Sequence, residues 1–423
     1  MKPLSENYVV IRRTEHPETE YVYSPAIIRL ESGRLVVTLD VCDAEGETYV
    51  SDDGGQTWRL TAKMHLCHSR LFLDGKRIYT FGHNPDIEMY YSDDEGESWC
   101  GPFYLTQGED WHMAQTNVLY KNGYVYIGAE ITLLSEEERK DWKKGWWTPN
   151  VLGLKVLRGK LGTDLTKREN WLFSDTIRYR DIAPDEDELN WFGIPFFKTG
   201  LKLDTSIGTD DVMRVRNGEK LEYFSQPIGW LETNLVEITD PCHYWHDPEG
   251  KTLHLFMRAH TAGSGYCCVA KAVERIVDGK EVINIELVTN PSGNTVLFLP
   301  MPGGQMKFFI IYDEETKLYW LLSTQATDTM RRLECMPSDR YNIPCDERDR
   351  LTLHFSKNMV DWVFAGLVDK GETTVASRHY AVMDVDGDDL VIVSRSGDKY
   401  AHTPHHGNIA TFHRVKNFRD LVY

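Results

Sequence analysis

Two copies of one short turn motif constrain the fold of this chain more than any other feature of its sequence. SDDGGQTW at residues 51–58 recurs as SDDEGESW at residues 92–99. In both copies the third residue, an Asp, can accept backbone N–H groups of the turn, and the fifth, a Gly, allows the backbone angles of a tight hairpin. The final Trp is expected to pack under the turn. Two copies about 40 positions apart predict a chain built from repeats the length of β-propeller blades.

Six segments share one design, a strand, a turn with Gly or acidic residues, and a strongly apolar second strand. The second strands are RLVVTLD (34–40), RIYTFGH (77–83), YVYIGAE (124–130), TLHLFMR (252–258), KLYWLLS (317–323) and DLVIVSR (389–395). They are apolar on both faces, as expected for strands covered by neighbouring blades. NYVVIRR at 7–13 has no hairpin partner and is predicted to complete the last blade beside GNIATFHRV at 407–415, which hides two sheet edges. The sequence therefore predicts an all-β, six-bladed β-propeller, with seven blades as the nearest alternative.

Residues 1–423 are predicted to form a single propeller domain with insertions at about 131–150, 175–229 and 325–347. The first insertion contains SEEERKDWKK, a predicted short helix with a capping box of Ser135 and Glu138. Long loops between regular blades are common places for binding sites. Trp146, Trp147 and Trp191 lie in these insertions, where they either stack on sugar rings or take part in ordinary loop packing.

Composition excludes several partners. The net charge of −18 argues against nucleic acid and anionic membranes. The eight Cys form no C-x-x-C pair, which favours free buried thiols, and HTPHH at 402–406 fits no standard metal site, so no metal or cofactor is predicted. MKPLSENYVV lacks an apolar signal segment and no long apolar run occurs, which predicts a soluble protein, either cytoplasmic or secreted with a trimmed signal.

The six apolar second strands each end at a polar residue in the same alignment position. These residues are Asp40, His83, Glu130, Arg258, Ser323 and Arg395. Equivalent strand ends surround one axis in a propeller, so the six are predicted to converge at one mouth of the central channel. One interpretation is a structural network of ion pairs. The other is a polar pocket whose Arg residues bind a carboxylate or an acidic sugar.

The turn motif resembles the Asp-box, or bacterial neuraminidase repeat, of the sialidase superfamily. Members of that family use a Tyr nucleophile activated by a Glu, an Asp acid/base, and three Arg that hold the substrate carboxylate. ETNLVEI followed by TLHLFMR is similar to the strands that carry the Glu and the second Arg, which places Glu232 and Arg258 in those roles. RDRLTLHFSKNMVDW resembles the strand of the third Arg, matched by Arg348 or Arg350. RHYAVMDVDGDDLVIVSR resembles the nucleophile strand, with Tyr380 in the position of the Tyr.

The first blade departs from the family pattern. Where the family carries F/Y-R-I-P, this chain has VYSP at 22–25, so that Tyr23 takes the place of the first Arg. The loop after Asp40 is shorter than the one that brings the family's acid/base, and Asp43 is the nearby replacement. Loss of one Arg removes a charge-assisted contact of about 1.5–3 kcal/mol. The expected substrate therefore shifts from sialic acid to a related acidic sugar or a neutral one.

The resemblance implies an exo-acting glycoside hydrolase. Tyr380 is expected to be the nucleophile, Glu232 its base, and Asp40 or Asp43 the acid/base. The residues expected to bind substrate are Arg258, Arg348, Arg350, Arg395, Tyr23, Glu130, His83 and His68. The expected partner is a carbohydrate.

Two alternatives remain open from the sequence. Some propeller polysaccharide lyases and rhamnosidases use His, Tyr and Arg at the channel mouth. In that interpretation His68 takes a proton α to a uronate carboxyl group that Arg258 or Arg395 holds. His112 opens the next blade and extends the same group of histidines. The second alternative is a non-catalytic glycan-binding propeller, which has pocket aromatics without an activated nucleophile.

Overall fold

The computed structural model describes residues 2–41, 45–142, 149–183, 215–216, 219–220, 229–260, 265–327 and 347–423. Asp43 and the three insertion tryptophans, Trp146, Trp147 and Trp191, lie outside the described residues.

The protein is a six-bladed β-propeller, as the turn motif and the six apolar strands predict. Each blade is an antiparallel sheet of at least four strands. The first two blades contain β2 (Ala26–Arg29), β3 (Leu35–Val41), β4 (Glu45–Ser51) and β5 (Arg59–Met64), and then β6 (Cys67–Asp74), β7 (Arg77–His83), β8 (Ile87–Ser92) and β9 (Cys100–Tyr104). The third blade contains β10 (Trp111–His112), β11 (Val118–Lys121), β12 (Tyr124–Thr132), β13 (Leu152–Lys160) and β14 (Trp171–Phe173).

The remaining blades follow the same order, with two short accessory hairpins. The accessory strands are β15 (Val215–Arg216), β16 (Glu219–Lys220), β21 (Val288–Thr289) and β22 (Thr295–Val296). The fourth blade contains β17 (Trp230–Val236), β18 (Thr252–Ala259), β19 (Tyr266–Val277), β20 (Lys280–Glu286) and the short β23 (Phe298–Pro300). The fifth contains β24 (Phe308–Asp313), β25 (Leu318–Thr324), β26 (Arg350–Ser356) and β27 (Val363–Lys370). The sixth contains β28 (Arg378–Asp386), β29 (Asp389–Ser396), β30 (Ile409–Val415) and β1 (Val9–Arg13).

The N-terminal strand closes the ring. β1 pairs antiparallel with β30, with Val9 opposite Phe412 and Arg13 opposite Ile409. The predicted pairing of residues 7–13 with the last blade is therefore confirmed. The last blade is thus built from both ends of the described chain, and the otherwise open edge of β30 is covered.

The core lies between neighbouring blades. β3, β25 and β17 are buried at every position, because the blades on either side cover both faces of these strands. The first strand of each blade lies nearest the channel. Residues of β2, β6, β11, β24 and β28 line a channel cavity of about 150 Å³.

The turn at residues 51–58 forms the predicted hydrogen bonds. The Asp53 carboxylate accepts the backbone N–H groups of Gln56 and Thr57, each at 2.9 Å. The Trp58 indole N–H donates to the Gly55 carbonyl at 3.1 Å. The turn at 92–99 repeats the pattern, with the Ser98 N–H 2.9 Å from the Asp94 carboxylate. Both turns are therefore rigid caps between the third and fourth strands of their blades.

Gly55 has a role that its neighbour Gly54 does not share. Both adopt left-handed angles (φ 93° and 72°), but a Cβ at Gly55 would lie 2.2 Å from the Phe412 ring, whereas the nearest atom to a Cβ at Gly54 is 3.5 Å away. We expect Gly54→Ala to lower the free energy of unfolding by about 1–2 kcal/mol for the backbone angle alone. Gly55→Ala adds a clash in the ring closure and is expected to cost about 2–5 kcal/mol.

Urea denaturation of the two variants, compared with the wild type, measures this difference. Equal unfolding midpoints for the two variants would show that the contact between the turn and Phe412 does not limit stability.

Helices are short and peripheral. α1 (Glu136–Trp142) has the predicted capping box, in which the Ser135 N–H donates to Glu138 at 2.7 Å and the Glu138 N–H donates to the Ser135 hydroxyl at 3.2 Å. Among the described residues, the other helical segments are α2 (Tyr179–Ile182) and 3-10 turns at Pro149–Val151, Arg168–Asn170 and Phe418–Leu421. Within the described ranges, no helix has the length and apolar character needed to cross a membrane.

Candidate active site

Three β-bulges at equivalent places in alternate blades form the framework of the site. In β6, β17 and β28, two residues of the inner strand oppose one residue of its neighbour. The first residue of each bulge has a left-handed backbone, namely His68 (φ 52°), Glu232 (φ 66°) and Tyr380 (φ 49°). Side chains other than Gly adopt this conformation only at a cost, and such residues cluster at functional sites. The bulges therefore aim three chemically useful side chains in equivalent directions.

The bulges and the predicted ring of polar residues lie at the same mouth of the channel. The inner-strand residue directly before each bulge pairs with a member of that ring: His83 in the second blade, Arg258 in the fourth and Arg395 in the sixth. Asp40, Glu130 and Ser323 occupy the corresponding strand ends of the other three blades, and all three are buried. The alignment of the six sequence segments thus identified residues that occupy equivalent strand ends in the six blades.

Arg258 joins the two residues expected to carry the reaction. Its Nη1 donates to the Tyr380 hydroxyl at 3.1 Å and lies 3.5 Å from Oε1 of Glu232, while its Nε donates to the Gln305 carbonyl at 2.9 Å. Burial, with the Glu232 charge second, raises the pKa of Tyr380 to about 12. The phenol is therefore protonated at neutral pH and needs a base to become a nucleophile.

Glu232 is a carboxylate that shares the Arg258 contact with Tyr380. Its side chain is buried, and Oε2 has no hydrogen-bond partner among the described residues. A buried carboxylate oxygen without a donor is costly in a finished structure, and it is available to accept a proton or a substrate hydroxyl group.

Tyr23, which replaces the first Arg of the family pattern, contacts an Arg from another blade. The Arg395 guanidinium lies 3.7 Å from the centre of the Tyr23 ring and 5.1 Å from that of Tyr380. Its Nη2 also donates to the His405 carbonyl. Cation–π contacts of this kind stabilise a guanidinium that is removed from water. The first blade therefore contributes the Tyr23 ring, and the sixth blade contributes the Arg395 guanidinium that packs on it.

The structure distinguishes the two candidates for the third Arg. Arg348 is buried, with Nη1 2.9 Å from Nδ1 of His379, and its charge opposes the rise in the Tyr380 pKa. Arg350 is partly exposed, and its Nη1 pairs with Glu347 and, at 3.4 Å, with Asp349. Arg348 therefore lies at the site, whereas Arg350 forms ion pairs with Glu347 and Asp349 beside it.

A wall of imidazole rings faces this charged group. The rings of His68, His83 and His112 lie 5.6–6.3 Å apart, and each is half-buried. Burial lowers the pKa of all three, to about 3 for His83, so these rings are neutral at pH 7. The sequence singled out these three histidines. It gave no signal for His260 and His379, and it noted His405 only within HTPHH as a rejected metal site; all three reach the same region from the ends of strands and loops.

Each bulge is held in place by a side chain from the preceding blade. Oε1 of Glu130 accepts the N–H of Thr233 at 3.0 Å, next to Glu232. The Lys307 ammonium donates to the Ala381 carbonyl at 2.6 Å, next to Tyr380. The Ser69 hydroxyl donates to that of Thr38 at 2.8 Å, next to His68. Glu130, expected to bind substrate, thus has a structural contact as well, and burial raises its pKa to about 7.

One group of side chains offers atoms of the types that bind metals. A carboxylate oxygen of Asp40, the Cys67 sulfur and a His68 ring nitrogen lie within 4.8 Å of one another. However, Oδ2 of Asp40 accepts the backbone N–H of His68 at 2.7 Å, and Nδ1 of His68 lies 3.0 Å from the Ser24 hydroxyl. These polar groups therefore hold each other in place within the protein.

No family model and no curated protein matches the chain. Among solved structures it is similar to an α-L-arabinanase of Penicillium chrysogenum complexed with arabinobiose, with 11% identity, a TM-score of 0.50, and coverage of 99% of this chain and 100% of that one. A protein of unknown function from Dyadobacter fermentans has 14% identity and a TM-score of 0.51 over 97% of this chain and 98% of its own. The NanB sialidase of Streptococcus pneumoniae gives 11% identity, a TM-score of 0.49, and coverage of 97% and 70%. The expected propeller fold is thus confirmed, and at these identities the likeness extends to the fold alone.

Proposed function

We propose that this protein is a glycoside hydrolase that acts on a sugar bearing an acidic group, with Tyr380 as the nucleophile and Glu232 as its base. The observation that carries the proposal is the shared contact of both side chains with Nη1 of Arg258, at 3.1 Å and 3.5 Å. Glu232 of the fourth blade and Tyr380 of the sixth both contact Arg258, and both are the left-handed residues of bulges. This arrangement supplies an acceptor for the phenol proton close to the phenol.

The chemistry follows from the charges. As Tyr380 Oη attacks the anomeric carbon, its proton passes to Glu232, and the glycosidic C–O bond breaks. A neutral phenol approaches an anionic sugar without the repulsion that a carboxylate nucleophile would meet, and Tyr nucleophiles are recognised exceptions to the two-carboxylate rule. Water then cleaves the bond between Tyr380 and the sugar, which releases the sugar and restores the phenol.

Three guanidinium groups support an acidic substrate. Arg258, Arg348 and Arg395 are all buried at the site, although the chain as a whole carries a net charge of −18. Arg–carboxylate bonds are short and directional, which suits a sugar whose acid group must be held while the ring reacts. Arg395 stands in for the Arg that the first blade lacks. The carbohydrate complexed with the arabinanase of the same fold also favours a carbohydrate as substrate here.

A panel of 4-nitrophenyl glycosides, sialosides and uronate oligosaccharides tests the proposal. We expect free sugar and nitrophenol to be released from a glycoside that carries a carboxylate, and much slower release from its methyl ester. An unsaturated product that absorbs in the ultraviolet would identify a lyase instead, with the neutral histidines as bases. Binding without turnover of any compound would leave a glycan-binding propeller.

A further inference from the structure

The three bulges have the same geometry, but only two of them carry a residue with a role in the proposed reaction. Glu232 and Tyr380 occupy the first positions of the bulges in the fourth and sixth blades, and His68 occupies the same position in the second. Each bulge forms a hydrogen bond with a side chain of the blade before it, as donor in the second and fourth blades and as acceptor in the sixth. A left-handed residue other than Gly persists only where its surroundings hold it there, and such residues cluster at functional sites. The position of His68 therefore needs an explanation of the same kind.

His68 lies across the site from Tyr380. Its ring is 6.2 Å from the Tyr23 ring, the Tyr23 ring lies under Arg395, and Arg395 lies over Tyr380. The His68 side chain is half-buried, whereas the Tyr380 side chain is buried. A sugar held against Tyr380 and Arg395 would therefore direct its leaving group toward His68.

Asp40, one of the two residues expected to supply the acid/base, makes a contact within the protein that involves His68. It is fully buried, and its Oδ2 accepts the backbone N–H of His68 at 2.7 Å. The Ser24 hydroxyl lies 3.0 Å from Nδ1 of the same ring, which leaves Nε2 as the ring nitrogen for a substrate. Asp40 and Ser24 are thus positioning residues that fix the bulge and the ring plane of His68.

We propose that His68 is the third catalytic residue and that it donates a proton from Nε2 to the leaving-group oxygen as the glycosidic bond breaks. This inference rests on the proposed function. In the first step the bond between the anomeric carbon and the leaving oxygen breaks, the bond to Tyr380 Oη forms, Glu232 takes the phenol proton, and His68 gives its proton to the leaving alcohol. In the second step neutral His68 takes a proton from water, whose oxygen displaces Tyr380, and Glu232 returns its proton to the phenol.

The groups that face His68 determine when it carries a proton. Its neighbours are His83 and His112 from adjoining strands, Arg70 on its own strand, Arg395 from the sixth blade, and the Asp40 carboxylate, and burial has the largest effect in lowering its pKa. A group that acts in its protonated form loses activity as pH rises through its pKa. Turnover of substrates that need the acid is therefore expected to rise toward acidic pH, and the carboxylate of a bound substrate favours the protonated ring.

Leaving-group dependence tests the role of His68. A phenyl glycoside needs protonation of its leaving oxygen, and the matched 4-nitrophenyl glycoside does not. We expect His68→Ala to lower kcat/KM, which reports the first step, by about 10²–10⁴-fold for the phenyl glycoside and by less than about 5-fold for the 4-nitrophenyl glycoside. Because the water of the second step also loses its base, kcat for the 4-nitrophenyl glycoside is expected to fall, and sodium azide, which needs no base, is expected to restore it. His83→Ala, which removes the neighbouring ring, is the control, and its effect is expected to be the same for both glycosides.

The outcomes separate this inference from the proposed function. Equal loss of kcat/KM with both glycosides in His68→Ala, while Tyr380→Phe loses at least about 10²-fold in kcat with both, would overturn the role of His68 and leave the hydrolase intact. Wild-type kcat of Tyr380→Phe with either glycoside would overturn the proposed function itself. His68→Asn, which is better tolerated with a left-handed backbone, repeats the test if His68→Ala does not fold. His68→Asn is expected to show the same difference between the phenyl and the 4-nitrophenyl glycoside.

Discussion

Tyr380→Phe and Glu232→Gln are each expected to lower kcat by at least about 10²–10⁴-fold, the range that acid–base assistance contributes. Phe lacks the oxygen that bonds to the sugar, and Gln cannot accept the phenol proton. Both changes conserve volume at buried positions, so the fold is expected to survive. The double variant is expected to be hardly slower than either single variant, because the two residues act as a unit.

Tyr49→Phe is the matched control for this pair of variants. The Tyr49 hydroxyl donates to the Glu47 carboxylate at 2.7 Å in the first blade, and burial together with that bond raises its pKa, as at Tyr380. Its loss therefore removes a buried contact between a phenol and a carboxylate outside the site. We expect wild-type kcat from Tyr49→Phe. Steady-state kinetics measure kcat of each variant, and circular dichroism checks that each variant is folded. If the two single losses of kcat multiply in the variant that combines Tyr380→Phe with Glu232→Gln, the two residues do not share one step.

Arg348→Met is expected to lower kcat/KM for an acidic glycoside by about 10–150-fold, which corresponds to a charge-assisted bond of about 1.5–3 kcal/mol. Arg348 is buried beside His379 and acts electrostatically on Tyr380, so its loss removes a cation from the region where the carboxylate of the substrate is expected. Arg350→Met, two positions along the chain, removes a cation already paired with Glu347 and Asp349. We expect it to change kcat/KM by less than about twofold.

The methyl ester of the same glycoside completes this experiment. The wild-type protein is expected to turn it over poorly, and Arg348→Met is expected to add little further loss, because the contact is already missing. A full additional loss on the ester would assign Arg348 to the protein framework instead of to the carboxylate. Equal losses in Arg348→Met and Arg350→Met would contradict the placement of Arg348 alone at the site.

Local sequence patterns were sufficient to predict the six blades and the strand that closes the ring. The turn at residues 51–58 carries its own hydrogen-bond acceptor and its own Gly, so its structure depends on few distant contacts. The unpartnered strand at 7–13 could find a partner only at an open sheet edge, and β30 provides that edge. The ring of strand ends followed from the same regularity, since equivalent strands end at one level.

The bulges could not be predicted in this way. An inserted residue shifts the alternation of a strand that has one polar face, but β17 is buried on both faces, so its sequence gives no sign that Glu232 is left-handed. The choice between Arg348 and Arg350 depended on where the fold places each guanidinium, since that of Arg350 pairs with Glu347 and that of Arg348 lies beside His379. The support of Arg395 by Tyr23 joins the first and sixth blades, which the alignment of repeats does not compare.

Closure by β1 has a consequence for how activity arises during protein synthesis. The ribosome produces His68 and Glu232 long before Tyr380, and the blade that holds Tyr380 is complete only when β30 has been made and has paired with β1. A nascent chain, or one truncated before β28, therefore contains His68 and Glu232 without Tyr380. Under the proposed function, the complete site is assembled last, in the same event that seals the ring.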